Sequence, residues 1–214
     1  MGRGGHIPGP NPQDVAPVTG YLGPMFEVRI HGRGGQGVVT AAELLSLAAF
    51  EEGHHVQAFP SFGSERTGAP VVSYCRVSEG EIRTREPILA PDALIIQDAT
   101  LLFSANVFAG LKPDGYVVIN SSKTIDELGL SDLLEGRDPD RIVTVPATDI
   151  AREYIGRPLP NVVLLGALAA LTGRFNVDSI AHALRRKFPE KLAAANTEAA
   201  RAAYNLIAKE PVDA

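Results

Sequence analysis

Hydrophobic and polar positions alternate from Phe26 to Ile30, with Glu27 and Arg29 set between Phe26, Val28 and Ile30. A period of two predicts a strand with one buried face. The alternation stops at a glycine-rich stretch, and from Val38 onward apolar residues recur at helical spacing. Val38, Ala41, Ala42, Leu44, Leu45, Leu47, Ala48 and Ala49 predict a helix that is apolar over much of its circumference and ends near Gly53. His55–Phe59 reads as a second strand. Strand, helix and strand in this order make a βαβ unit, which predicts a parallel sheet.

The pattern continues in the same style. Pro70–Ser78 is a third strand, and Glu79-Gly80-Glu81 a tight turn into Ile82-Arg83-Thr84, giving an antiparallel hairpin inserted in the parallel scheme. The apolar run Ala93–Ile96, closing on Gln97 and Asp98, predicts a central parallel strand covered on both faces. A helix over Ala99–Leu111 and a strand at Tyr116–Asn120 follow. Then come a polar excursion, Asp126–Asp140, a strand at Arg141–Val145 and a short helix, Thr148–Tyr154. The remainder reads as helices Asn161–Thr172, Val177–Phe188 and Pro189–Lys209, the first N-capped by Asn161. Residues 1–24 are rich in Gly and Pro and lack periodicity, as expected of a flexible arm ahead of a single domain at 25–214. The fold class is therefore α/β, with a Rossmann-like, mostly parallel sheet, an antiparallel hairpin insertion and C-terminal helices.

Chemistry concentrates in the loop between the first strand and the first helix. Gly32-x-Gly34-x-x-Gly37 has the spacing and the strand-to-helix context of a dinucleotide fingerprint. Glycines permit a tight turn and remove side chains that would block a phosphate, and the free N–H groups of a helix start attract an anion. The same glycines also serve a turn that merely packs a helix onto a sheet. Two specific ligands are disfavoured. Nicotinamide units place an acidic residue near the end of the second strand, where this chain has Gln57, Ala58, Phe59 and Pro60. A P-loop needs Gly-Lys-Ser/Thr after the glycines, and none follows.

Further along, Ser61–Pro70 is a loop holding Glu65 and Arg66, either functional or simply solvated. Asp98 ends the central strand, on the side where open α/β sheets bind ligands, and is equally placed to cap the following helix. Ser121 and Ser122 end another strand as phosphate contacts or turn residues. Arg185, Arg186 and Lys187 near a helix end read as a solvated face that complements the helix dipole.

Composition narrows the partners. Hydrophobic residues make up 45% and charged residues 21% of 214 residues, an ordinary globular balance. A net charge of −5 argues against general affinity for nucleic acid or anionic membrane. The apolar stretches are too short and interrupted to span a bilayer, and the N-terminus lacks the hydrophobic segment of a secretory signal, so a cytoplasmic location is expected. The lone cysteine, Cys75, excludes an internal disulfide and the usual four thiolates of an iron–sulfur cluster. Its apolar surroundings predict a buried strand residue.

Two motifs together carry a resemblance. Gly32-Arg33-Gly34-Gly35-Gln36-Gly37 ahead of an Ala/Leu helix resembles the Gly-x-Gly-Gly-Gln-Gly signature of the γ subunits of 2-oxoacid:ferredoxin oxidoreductases. Phe62-Gly63-Ser64-Glu65-Arg66-Thr67-Gly68-Ala69-Pro70-Val71 is similar to their second signature, especially in the pyruvate and ketoisovalerate type, departing from it at Ser64 and Thr67. Val77-Ser78, Pro91-Asp92 and Pro160-Asn161 also fit. The resemblance implies oxidative decarboxylation of a 2-oxoacid with coenzyme A, giving acyl-CoA, CO2 and reduced ferredoxin. It further implies α, β and δ-type partner subunits that carry thiamine diphosphate, Mg and iron–sulfur clusters. The γ chain would itself supply no catalytic residue and no metal ligand. Gly32, Gly34, Gly35 and Gly37 would offer N–H groups to coenzyme A phosphate, with Arg33 and Gln36 as side-chain donors. Phe62, Gly63, Glu65, Arg66 and Gly68 would form a loop facing a partner subunit.

Overall fold

The computed structural model describes residues 25–61 and 67–208. The arm expected at 1–24 lies outside the described residues, as do Phe62, Gly63, Glu65 and Arg66 of the second motif. The strands are β1 (Phe26–Arg33), β2 (His55–Pro60), β3 (Pro70–Ser78), β4 (Ala93–Ile96), β5 (Tyr116–Asn120) and β6 (Ile142–Val145). The helices are α1 (Val38–Glu51), α2 (Ala147–Ile155), α3 (Asn161–Thr172), α4 (Val177–Lys187) and α5 (Glu190–Ala208).

All six strands form one sheet in the order β2-β3-β1-β4-β5-β6. β1, β4, β5 and β6 run parallel, while β3 is antiparallel to both of its neighbours, β1 and β2. The α/β class is as expected, but two details differ. β1 and β2 are not adjacent, because β3 lies between them and pairs with both. Residues 82–84 form no strand. Instead the segment after β3 crosses the sheet, and its carbonyls at Thr84 and Glu86 accept hydrogen bonds from Gln57 and Arg76. The antiparallel member of the hairpin is therefore β3 itself.

Helices α1 to α5 all lie on one side of the sheet, α1 and α3 against the strands and α2, α4 and α5 chiefly against other helices. Phe26, Val28 and Ile30 of β1 and Ala93 and Ile95 of β4 meet Leu44 and Leu45 of α1 and Leu164, Leu165 and Leu168 of α3 in a single buried cluster. Each such aliphatic side chain contributes roughly 1.5–3 kcal/mol by leaving water. The alternate residues Leu94, Ile96, Val117 and Ile119 point to the opposite face, where irregular segments supply Leu101, Val107, Leu128, Leu130 and Leu134. β4 is buried throughout, as the unbroken apolar run requires.

The helix expected over Ala99–Leu111 shrinks to a 3-10 turn at Ala99–Phe103. Ser104 caps its end, and further on Gly110 adopts φ 72° where a Cβ would lie 1.9 Å from the carbonyl oxygen of Leu89. Cys75 is fully buried, and burial pushes its thiol up to about 12. Among the described residues, no helix is long and apolar enough to cross a membrane.

Candidate functional site

From β1 the chain builds outward to β2 and β3 on one side, then returns to add β4, β5 and β6 on the other. Open α/β sheets bind ligands in the crevice outside the carboxyl ends of the strands at such a reversal. The glycine loop leaves β1 on one wall of this crevice. Gln97 and Asp98 leave β4 on the other.

The glycines have separate reasons to be glycine. Gly32 still belongs to β1 and pairs with Val71. A Cβ at Gly32 would sit 2.6 Å from Val38 Cγ2 and 3.2 Å from Gln97 Cβ, so its bareness lets α1 close onto the sheet. Gly37 is the N-cap of α1 in the left-handed conformation, φ 72° and ψ 34°. The Asn161 amide lies over it, with Nδ2 donating to the Gly37 carbonyl at 3.3 Å. Asn161 is thus not the N-cap of α3. It is the first helical residue, and its side chain is drawn to the glycine loop. Gly35 has φ 96° and faces open space, with nothing within 4 Å of a would-be Cβ.

Both side chains expected to be donors are engaged within the protein. Arg33 Nη1 donates to the Gly68 carbonyl at 3.1 Å, Nη2 donates to Thr100 Oγ1 at 2.8 Å, and Nε lies 3.2 Å from Asp98 Oδ2. Gln36 Nε2 donates to Asp98 Oδ2 at 2.9 Å, and its Oε1 accepts from the Arg33 N–H at 2.8 Å. Asp98 also accepts from the Thr100 N–H at 3.0 Å, so it is the cap of the 3-10 turn as well as a crevice residue. Burial alone would raise its carboxyl. Hydrogen bonds from Thr100 and Gln36 and the charge of Arg33 outweigh burial and hold it below the usual range.

The two motifs meet here. The Gly34 N–H donates to the Ala69 carbonyl at 2.9 Å, and the Gly34 carbonyl accepts from the Gly68 N–H at 3.0 Å. Gly68 therefore joins the glycine loop, at φ 82°. Gly34 has its donor committed to this pairing. Among the described residues, the N–H groups of Gly35 and Gly37 make no backbone hydrogen bond. α1 has no side-chain cap and no acidic residue in its first turn. Its leading N–H groups, at Val38, Val39 and Thr40, precede the i to i−4 ladder. The crevice thus presents a cluster of backbone donors and the positive end of a helix dipole, the chemistry of an anion site.

Of the ground next to it, sequence reasoning singled out only Ser121 and Ser122. Along the ends of β5 and β6 lies an open cleft of about 430 Å³, lined in part by Thr100, Asn120, Ser121, Lys123, Thr148 and Arg152. Asn120 organises this edge, with Nδ2 donating to the Gln97 carbonyl and to Thr148 Oγ1, both at 2.8 Å. Ser121 Oγ accepts from the Lys123 N–H at 2.9 Å, so it shapes a turn and lines the cleft at once. The signal that could have found these residues was their position after apolar strands. Lys123 and Arg152 lay in polar stretches with nothing local to mark them. Among the described residues, no group of three or more His, Cys, Asp or Glu side chains is placed to hold a metal ion.

Comparison with known proteins gives this geometry a family. Residues 27–206 match the family model of pyruvate ferredoxin/flavodoxin oxidoreductase. The chain is 50% identical over 161 residues to the pyruvate synthase subunit PorC of Methanosarcina barkeri, covering 75% of this chain and 85% of that one. It is 46% identical over 180 residues to the pyruvate/ketoisovalerate oxidoreductases common subunit gamma of Pyrococcus abyssi, covering 84% and 96%. The crystal structure of pyruvate oxidoreductase subunit PORC from Thermotoga maritima superposes with a TM-score of 0.73 at 36% identity, covering 85% and 96%. The chain belongs to the pyruvate ferredoxin/flavodoxin oxidoreductase family, in which it is the γ subunit of a multi-subunit 2-oxoacid oxidoreductase.

Proposed function

We propose that this γ subunit helps bind and position coenzyme A for the CoA-dependent oxidative decarboxylation of pyruvate or a related 2-oxoacid to acyl-CoA, CO2 and reduced ferredoxin. The observation that carries the reading is the uncapped N-terminus of α1 at the reversal point of the sheet, with Gly35 open beside it. A phosphate of the cofactor meets the N–H groups of Gly35, Gly37 and the first turn of α1. Gly32, Gly34 and Arg33 hold the loop in shape rather than touching the ligand. The neighbouring cleft, with Lys123 and Arg152, is large enough for a further part of a long anionic cofactor.

In this reading the subunit works in a cytoplasmic complex with α, β and δ-type partners. Those partners hold thiamine diphosphate, Mg and the iron–sulfur clusters and pass electrons to ferredoxin. The cofactor carries the bond-breaking chemistry, and this chain contributes orientation and charge complementarity. Phe62, Gly63, Glu65, Arg66 and Gly68 contact a partner subunit, and of these Gly68 is hydrogen-bonded to Arg33 and Gly34. A solved 2-oxoglutarate:ferredoxin oxidoreductase from Magnetococcus marinus, with 2-oxoglutarate, coenzyme A and succinyl-CoA bound, shares the fold at 21% identity and a TM-score of 0.66, over 89% of this chain and 32% of that one.

Calorimetric titration of the assembled complex with coenzyme A tests the proposal. Gly35→Asp places a carboxylate at the anion position and abolishes binding, while Gly35→Asn, of similar size and backbone tolerance but neutral, binds at least tenfold more tightly than Gly35→Asp. An assembled Gly35→Asp complex with unchanged affinity would instead establish the chain as a purely structural subunit.

A further inference from the structure

Gln97 is 1% exposed, and among the described residues neither its Oε1 nor its Nε2 has a hydrogen-bond partner. A buried amide left without partners is costly at both atoms, and native proteins rarely retain one without an occupant to satisfy it. Its position is specific. Along β4 the side chains of Ala93 and Ile95 enter the helix-side core while those of Leu94 and Ile96 enter the other, so Gln97 faces the helices. There it sits beneath the crevice. Gln97 Cβ, Val38 Cγ2 at the start of α1 and Gln36 Oε1 converge around the bare Gly32, at 3.2, 2.6 and 3.1 Å from where its Cβ would be. Gln97 thus leaves β4 beside the first residue of the uncapped α1, its Cβ and Val38 Cγ2 flanking the same bare glycine.

Resting on the coenzyme A reading, we propose that Gln97 is a ligand-contacting residue of this crevice. Its Nε2 donates to an oxygen of the phosphate held at the α1 N-terminus, and its Oε1 accepts from a water ordered by that phosphate. The Gln36 side chain is the cover. It lies next to Gln97 over Gly32 and is held by the Arg33 N–H and Asp98, both at the crevice surface. The phosphate reaches the buried amide as Gln36 moves aside.

The test is titration of the assembled oxidoreductase complex with coenzyme A, comparing wild type, Gln97→Met and Gly35→Asp. Gln97→Met is expected to bind at least tenfold more weakly while its thermal unfolding without ligand is unchanged or shifts upward, because a buried unsatisfied amide has been removed. Binding within twofold of wild type in Gln97→Met, with binding lost in Gly35→Asp, overturns the role of Gln97 and leaves the coenzyme A reading standing. Unchanged binding in both variants overturns both. Should the Gln97→Met complex not assemble, Gln97→Asn keeps the amide but withdraws it by one methylene. Weaker binding in that variant supports the contact, and unchanged binding overturns it.

Discussion

Arg29 Nε donates to His31 Nε2 at 3.0 Å, on the face of β1 that carries no helix. The same guanidinium reaches the carbonyls of Val107 at 3.0 Å and Ala109 at 2.6 Å, tying the segment after the 3-10 turn to the sheet. The imidazole must therefore be neutral, since its Nε2 is an acceptor. Burial and then the charge of Arg29 push its pKa down from 6.5 to about 4. The unfolded chain binds a proton at His31 that the folded chain refuses. Stability from this residue is full above pH 6.5 and is lost as pH falls toward 4, on the order of 3 kcal/mol in all. In His31→Gln, whose side-chain oxygen can still accept from Arg29, denaturant unfolding at pH 7.5 and pH 5 is expected to show a smaller loss than wild type. An equal loss in the two proteins would show that His31 is charged in the fold.

Glu52 presents the opposite sign. Burial raises its carboxyl, only partly offset by the Asn176 N–H, which donates to Oε1 at 2.9 Å. Among the described residues its buried Oε2 has no hydrogen-bond partner. An acid with a raised folded pKa contributes fully below its unfolded value of 4.5, and that contribution is lost as pH rises through the folded value. Glu52→Gln keeps an acceptor for Asn176 and removes the charge. Its melting temperature should exceed that of wild type at pH 7.5 and converge with it near pH 4.

Gly166 of α3 is pressed against α5, where a Cβ would lie 2.0 Å from the Ala200 carbonyl oxygen. Alanine gains about 1 kcal/mol in helix propensity over glycine. A clash with a backbone atom outweighs that gain, because the helices must separate to relieve it, and overpacking of this kind costs about 1–3 kcal/mol or more. Gly166→Ala is expected to lower the unfolding midpoint. A rise would mean that the two helices are not in contact at this point.

Asp98 connects the two motifs to the end of β4 through Arg33, Gln36 and Thr100. Asp98→Ala removes the cap of the 3-10 turn and the anchor of Gln36, with an expected loss of about 1–2 kcal/mol near neutral pH. The wild-type advantage is present above the unfolded pKa of 3.8 and shrinks as pH falls through the depressed folded value. Chemical unfolding of the two proteins at pH 7 and pH 3 measures this difference directly.

Much of this molecule is legible from periodicity, and the exceptions share a cause. The alternation in Phe26–Ile30 and the apolar run of β4 announce their strands because burial acts on each residue locally. Which strand lies beside which is a different question. β3 sits between β1 and β2 because antiparallel pairing is open to any strand with a matching face, and nothing in Pro70–Ser78 names its neighbours. The glycine loop was readable as a tight turn from strand to helix. That Arg33 and Gln36 brace it depends on Asp98 and Gly68, more than thirty residues further along the chain. Gln97 read as the polar end of an apolar strand, and its unpaired amide exists only in three dimensions. The motif residues at Phe62, Gly63, Glu65 and Arg66 lie outside the described structure.

The place of β3 between β1 and β2 also orders events in time. Among the described residues β2 pairs with β3 alone, so it has no such ladder partner while the polypeptide extends only as far as Pro60. On a ribosome, β1 and α1 can associate as they emerge, but β2 must wait for the start of β3 before any of its sheet hydrogen bonds form, and for Ser78 before its ladder is complete. Until then it is a strand with two open edges, the arrangement most exposed to pairing with a neighbouring nascent chain. The last strand made on the β2 side of β1 is thus the one that joins β2 to the sheet.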